Sequence, residues 1–137
     1  MIYYNYETTF KLENQEQISD WITQTIQNEN HKLEEISYIF CDDDFLLEKN
    51  KTYLNHDTLT DIISFDYSVG QLISGDIFIS IDRVKENATT FKVDFLDELN
   101  RVIIHGILHY CGYNDKTSEE KKQMRAKEDY YLSLRKF

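Results

Sequence analysis

The chain has 137 residues, and its 15 Lys+Arg against 25 Asp+Glu leave a formal charge of −10. That length suits a single domain, and 41% hydrophobic with 14% aromatic residues excludes a compositionally disordered chain. The absence of proline and the presence of only four glycines exclude Pro/Gly-rich linkers and collagen-like segments, and no apolar run approaches the roughly 18 residues of a membrane span.

In chain order, residues 1–12 are rich in Tyr, Ile, Thr and Phe and predict a strand or short hairpin. They lack the basic and apolar regions of a signal peptide, so a cytoplasmic chain with no membrane partner is expected. Ile18, Trp21, Ile22, Thr25 and Ile26 follow helical spacing and predict a helix over Asn14–Asn28. Glu35–Asp42 predicts a strand, and Asp42-Asp43-Asp44 then offers N-cap oxygens and first-turn acids for a helix to about Tyr53. Asp61–Tyr67 and Gly75–Ile81 predict two strands joined by a polar turn, followed by a helix over Arg83–Phe91 capped by Asp82. A longer helix is expected from Asp94 to Gly112, with Phe95, Leu96, Leu99, Val102, Ile103, Gly106 and Ile107 as its buried stripe. A last helix is expected to start after Thr117/Ser118, where Thr117-Ser118-Glu119-Glu120 gives N-cap and acidic first-turn signals, and to run to about Leu134. The sum is one α+β domain over residues 1–137, with a small mixed sheet of about four strands and about five helices. Cys41 and Cys111 do not make a disulfide framework and read as reduced thiols.

The segment Ile104-His105-Gly106-Ile107-Leu108-His109-Tyr110-Cys111-Gly112-Tyr113-Asn114-Asp115 stands apart. His105 and His109 are one helical turn apart, so both imidazoles leave the same face, as two nitrogen ligands of one metal must. Gly112 suits the left-handed conformation that stops a helix, and a chain turning back there can bring the Asp115 carboxylate to the same ion. Three protein ligands with a position left for water is the catalytic arrangement rather than the structural one. Two unrelated imidazoles one turn apart are the competing reading; the helix stop and the carboxylate weigh against it. Glu98 shares the histidine face and is either a partner of an imidazole or a solvated acid, and solvation is expected. His31 and His56 have no matching spacing and are expected at the surface.

His105–Asp115 resembles the HGxLHLxGYDH signature of the YbeY family, the metal-dependent endoribonucleases and rRNA maturation factors of bacteria. Thr60-Asp61-Ile62-Ile63-Ser64-Phe65 is similar to the family's TDVLSF strand, Gly75-Asp76-Ile77-Phe78-Ile79-Ser80 to its GDIxIS strand, and Met124…Glu128 to the pattern of its last helix. The resemblance implies a metal centre at the C-terminal end of the long core helix, holding one divalent ion, zinc, on His105, His109 and Asp115. The family's third histidine falls on Asp115. An arginine of the family falls on Leu54, so Lys51, Arg83 or another base would have to take its place.

The implied activity is cleavage of single-stranded RNA in small-subunit ribosomal RNA maturation and ribosome assembly. Small-subunit proteins or an assembly GTPase are the implied partners. Ser64 and Asp76, on the two strand motifs, either contact phosphate and organise the site or serve as strand-end and turn residues. Two alternatives remain: a non-catalytic, metal-stabilised assembly factor, and a zincin-like metalloprotease. The second lacks the glutamate general base that zincins carry after the first histidine, because Gly106 stands there.

The net charge of −10 argues against RNA only if it is evenly spread. Residues 1–115 carry 8 Lys+Arg and 21 Asp+Glu, whereas residues 116–137 carry 7 and 4, a local charge of +3. Phosphate binding follows the cations that meet the phosphates. A less negative field is therefore expected around Lys116–Lys127, next to the proposed ligands.

Overall fold

The computed structural model describes residues 1–54 and 58–137; His56 lies outside the described residues. Strands β1 (Ile2–Tyr6), β2 (Lys32–Cys41), β3 (Ile62–Asp66) and β4 (Leu72–Ser80) form a sheet in the order β1-β2-β4-β3. β1, β2 and β4 run parallel, and β3 joins β4 antiparallel. Helices α1 (Gln15–Asn28), α2 (Asp43–Leu54), α3 (Ile81–Phe91), α4 (Phe95–Tyr110) and α5 (Ser118–Ser133) complete the single α+β domain. Residues 1–12 hold one strand and no hairpin: β1 pairs in parallel with β2, so the chain after Tyr6 must cross over through α1 instead of turning straight back.

The alternation of β2 and β4 divides the core in two. Ile36, Tyr38 and Phe40 of β2, with Ile73, Ile77 and Ile79 of β4, join α1, α4 and α5 in the main cluster. Cys41, Leu46 and Ile63 form a smaller cluster with Phe45, Phe65 and Phe78, where α2 covers the sheet. Both cysteines are free, and burial pushes each thiol up to about 12, which leaves them unreactive packing groups. No described helix is long and apolar enough to cross a membrane.

Asp42 caps α2 as expected, its Oδ1 accepting from the Phe45 amide at 2.8 Å. The cap of α3 is Ser80 rather than Asp82: the Ser80 hydroxyl accepts from the Arg83 amide at 3.2 Å. Asp82 sits inside the first turn, and its Oδ2 accepts from the Asp43 amide at 3.1 Å. Thr117 and Glu120 form a full capping box at the start of α5, each side chain accepting from the other's backbone.

The buried stripe of α4 lies directly on the sheet at Gly106, where an added Cβ would stand 3.0 Å from Ile77 Cδ1 and 3.2 Å from Ile62 Cδ1. This close approach brings the next turn of α4 to the β3 edge. There the Tyr110 hydroxyl lies 3.0 Å from both the Phe65 and the Asp76 carbonyl oxygens.

Candidate metal centre

Helix α4 ends in a Schellman motif: the Gly112 amide donates to the His109 carbonyl and the Tyr113 amide to the Leu108 carbonyl, each at 3.0 Å. Gly112 has φ +104°, the left-handed region expected of it. The chain reverses, and within five residues the Thr117 capping box restarts a helix. Asp115 hangs in this connector and faces the last turn of α4.

The three expected ligands come together there. His105 Nε2 lies 3.1 Å from His109 Nε2 and 3.2 Å from Asp115 Oδ2, and His109 Nε2 lies 3.4 Å from the same oxygen. Tetrahedral ligands at 2.0–2.2 Å from one zinc ion stand about 3.3–3.5 Å apart, so the triangle is close to one face of such a tetrahedron. Among the described residues, these three form the group whose ligand atoms all lie within 4.8 Å of one another.

The donor chemistry points the same way. His105 Nδ1 lies 2.7 Å from Glu128 Oε2, a bond in which Nδ1–H donates, so that the neutral ring carries its lone pair on Nε2. A second imidazole nitrogen and a carboxylate oxygen face that lone pair, so a cation or a proton must sit among them. Burial works against a charged His105, but Glu128, Asp115 and Asp61 together raise its pKa above the ordinary value. His109 shifts the other way: burial and the His105 charge lower its pKa, against a partial offset from Asp115 and the Tyr113 backbone.

A cavity of about 580 Å³ opens on this triangle, lined by α3, β3, α4 and α5. Ser64 lines it. Asp76 does not: it pairs with Phe65 across the β3–β4 ladder, while Ser64 pairs with Ile77, so the two side chains leave opposite faces of the sheet. Asp76 Oδ2 instead accepts from the Tyr67 hydroxyl at 3.4 Å on the α2 side.

Glu98 is buried in the cavity wall, 7% exposed, rather than solvated. Burial and the neighbouring Asp61 raise its carboxyl pKa. The partner of His105 is Glu128, which α5 brings in and which is 4% exposed. Arg101 Nη1 donates to Glu128 Oε1 at 3.0 Å and its Nη2 to Asp129 at 2.8 Å, so the acid that orients His105 is itself held from α4. Glu128 was visible in the sequence only as part of Met124…Glu128. The signal for its role is that a carboxylate occupies the buried stripe Met124, Glu128, Tyr131 of α5.

Leu54 ends α2 on the far side of the sheet, outside the cavity lining, and Arg83 is committed to Asp43 at 3.4 Å. Lys51 does not line the cavity either. The cations that do are Arg101, Lys121 and Arg125. The basic segment thus divides: Lys121 and Arg125 face the metal side, whereas Lys122 pairs with Glu119 and Lys127 with Glu29. His31 is partly buried at the end of α1, its Nδ1 against the Glu29 carbonyl at 2.6 Å and away from the site.

A family model described as Endoribonuclease YbeY matches residues 3–135. The protein named Endoribonuclease YbeY of Flavobacterium psychrophilum is 57% identical over 134 residues, which cover 98% of this chain and 96% of that one. Its namesake in Flavobacterium johnsoniae is 55% identical over the same shares. The solution structure of TM1509 from Thermotoga maritima superposes with a TM-score of 0.69 at 25% identity, covering 97% of this chain and 87% of that one. A family-model match over nearly the whole length, with relatives of more than half identical residues, means that the chain belongs to the YbeY family of endoribonucleases.

Proposed function

We propose that the chain cleaves single-stranded RNA with one divalent ion of the zinc type held by His105, His109 and Asp115, and that it acts in the cytoplasm on small-subunit ribosomal RNA during ribosome assembly. The observation that carries the reading is the triangle of two Nε2 atoms and one carboxylate oxygen, 3.1–3.4 Å apart, opening on a cavity lined by Ser64, Lys121 and Arg125. A divalent cation there supplies a Lewis acid for a phosphoryl oxygen and a means of acidifying water at neutral pH.

The side chains of the chain do the rest. Glu128 keeps the His105 proton on Nδ1, so that Nε2 is available as a ligand. Lys121 and Arg125, at the cavity wall, meet the phosphates on either side of the scissile bond. Ser64 offers a hydroxyl to a phosphate oxygen from the β3 side. The small-subunit proteins, or an assembly GTPase, would supply affinity that a chain of −10 charge lacks on its own.

A protease reading has no support at the site. The position after His105 is Gly106, and the Cβ that any other residue would add there meets Ile77 and Ile62. One observation favours the non-catalytic assembly factor as a second reading: Lys51 and Arg83, the candidate replacements for the arginine missing at Leu54, both lie off the cavity.

The test is a single-stranded RNA incubated with wild type and with His109→Ala, metal content being measured on both. Cleavage by metal-loaded wild type and its loss in the variant is the expected result. Wild type that binds one ion yet leaves RNA intact with zinc, nickel and manganese sinks the nuclease and leaves the assembly factor. Equal cleavage by the variant points to a contaminating nuclease.

A further inference from the structure

Asp115 differs from the other two proposed ligands in having no helix under it. Its placement depends on how firmly the connector is held at each end. The downstream end is held by the capping box, in which Glu120 Oε1 accepts from the Thr117 amide at 2.9 Å and the Lys116 amide at 3.2 Å. The upstream end is Tyr113, whose amide closes the Schellman motif and whose hydroxyl donates to Glu29 Oε1 at 2.7 Å.

Glu29 is an unusual partner. It sits at the C-cap of α1, where Asn30 takes the left-handed conformation, φ 63°, and its side chain is 11% exposed. Three donors from other elements converge on it: the Tyr113 hydroxyl, the Tyr131 hydroxyl, and Lys127 Nζ at 3.4 Å. Lys127 Nζ also stands 5.5 Å from the centre of the Tyr113 ring, so the same cation holds that ring from its face. A carboxylate largely removed from water is costly unless it is paired and hydrogen-bonded, and here every partner lies on α5 or on the connector.

The α1–α5 contact has a separate tie, the Trp21 Nε1–H bond to the Tyr131 carbonyl at 2.9 Å. Joining these helices therefore does not by itself account for the bond from Glu29 to Tyr113. We infer that Glu29 is a positioning residue for the metal centre: through the Tyr113 hydroxyl it fixes the connector two residues upstream of Asp115, and so sets the third ligand's place. This rests on the proposed metal centre, and the experiment separates the two.

Metal affinity is measured by chelator competition with zinc, and ligand geometry by the visible spectrum of the cobalt-loaded protein. The set is wild type, Glu29→Ala, Glu29→Gln, Tyr113→Phe and Trp21→Phe, with the metal-free melting temperature of each recorded beside it. Glu29→Ala and Tyr113→Phe are expected to weaken metal binding about tenfold, the low end for groups that act through a ligand, and to change the cobalt spectrum. Glu29→Gln, which keeps an acceptor for Tyr113, is expected to recover part of the loss. Trp21→Phe is expected to lower the melting temperature and leave the affinity as it was. If Glu29→Ala and Tyr113→Phe lower only the melting temperature and bind zinc like wild type, Glu29 is a structural tie and the inference is overturned. If wild type binds no ion, the metal centre itself fails and the inference falls with it.

Discussion

Glu128 Oε2 lies 2.7 Å from His105 Nδ1, although the two residues belong to different helices and stand 23 positions apart. The contact decides which nitrogen of His105 faces the cavity. Glu128→Gln can still present an oxygen to Nδ1–H but loses its charge, and Glu128→Ala also strips Arg101 of its buried partner, leaving it Asp129. Metal affinity is expected to fall about 10-fold for the glutamine and closer to 100-fold for the alanine. Competition against a chelator of known affinity, on protein shown to be folded, reads both values.

Asp115 brings an oxygen donor to two nitrogen donors. Carboxylate suits manganese and magnesium better than imidazole does, whereas imidazole suits zinc, copper and nickel. Asp115→His is therefore expected to keep zinc and nickel binding while lowering manganese affinity relative to zinc. The ratio of the two dissociation constants, in wild type and variant, is the measurement. An unchanged ratio would mean that Asp115 is not a ligand.

Lys121 and Arg125 line the cavity, whereas Lys122 lies outside its lining and Lys127 pairs with Glu29. Replacing the first pair by alanine should weaken single-stranded RNA binding and flatten its salt dependence, by roughly 0.7 in the log–log slope for each phosphate no longer neutralised. The corresponding change at Lys122 should leave the slope where it was. Binding to a His109→Ala background, titrated at several salt concentrations, separates the two cases without cleavage.

Glu29 also carries an acid-dependent share of the fold's stability. Burial pushes its carboxyl up, but the hydroxyls of Tyr131 and Tyr113 and the Lys127 ammonium outweigh burial and hold the pKa below the ordinary carboxylate value. A group depressed in the folded state adds stability above its unfolded pKa and loses it as pH falls through the folded one. Wild type should therefore exceed Glu29→Gln in stability at about pH 7, and the gap should close towards about pH 3. Urea unfolding of the metal-free proteins at the two pH values checks the sign. A gap that widens on acidification would contradict it.

Gly75 has a packing role that its conformation does not reveal. A Cβ there would strike the Phe65 carbonyl oxygen and stand 2.5 Å from the Tyr110 hydroxyl, the group that lies against both the Phe65 and the Asp76 carbonyls. Gly75→Ala is expected to destabilise by ~1–3 kcal/mol, the range for overpacking a filled site. Thermal unfolding measures it.

His105, His109 and Gly112 were legible because helical spacing and a left-handed glycine are local facts, and the structure agrees with both. That Ser64 lines the cavity and Asp76 does not is no local fact. Each sits on a recognisable strand, but whether the two side chains share a face depends on the β3–β4 register, and a shift of one residue would bring both to the same face. Glu98 and Glu128 show the same limit on helices. Both share a face with buried neighbours, and only the docking of α5 on α4 decided that Glu128, and not Glu98, would meet His105. The caps at Ser80 and Thr117 were within reach of sequence, since Glu120 stands at the third helical position after Thr117.

The three donors lie within eleven consecutive residues, His105 to Asp115, while the groups that orient them arrive from residues 29 and 128. A loop that short closes at little entropic cost even in an unfolded chain. A divalent ion would therefore find the same donors close together in the denatured chain, and an ion bound to both states would stabilise the native one only by the difference in affinity. Helix α4 and the capped connector supply part of that difference, and Glu128, with Glu29 on the inference above, adds to it. Metal added in excess should raise the melting temperature less than its tight native binding alone would demand, and removing either acid should shrink the rise further while the donors themselves stay in place.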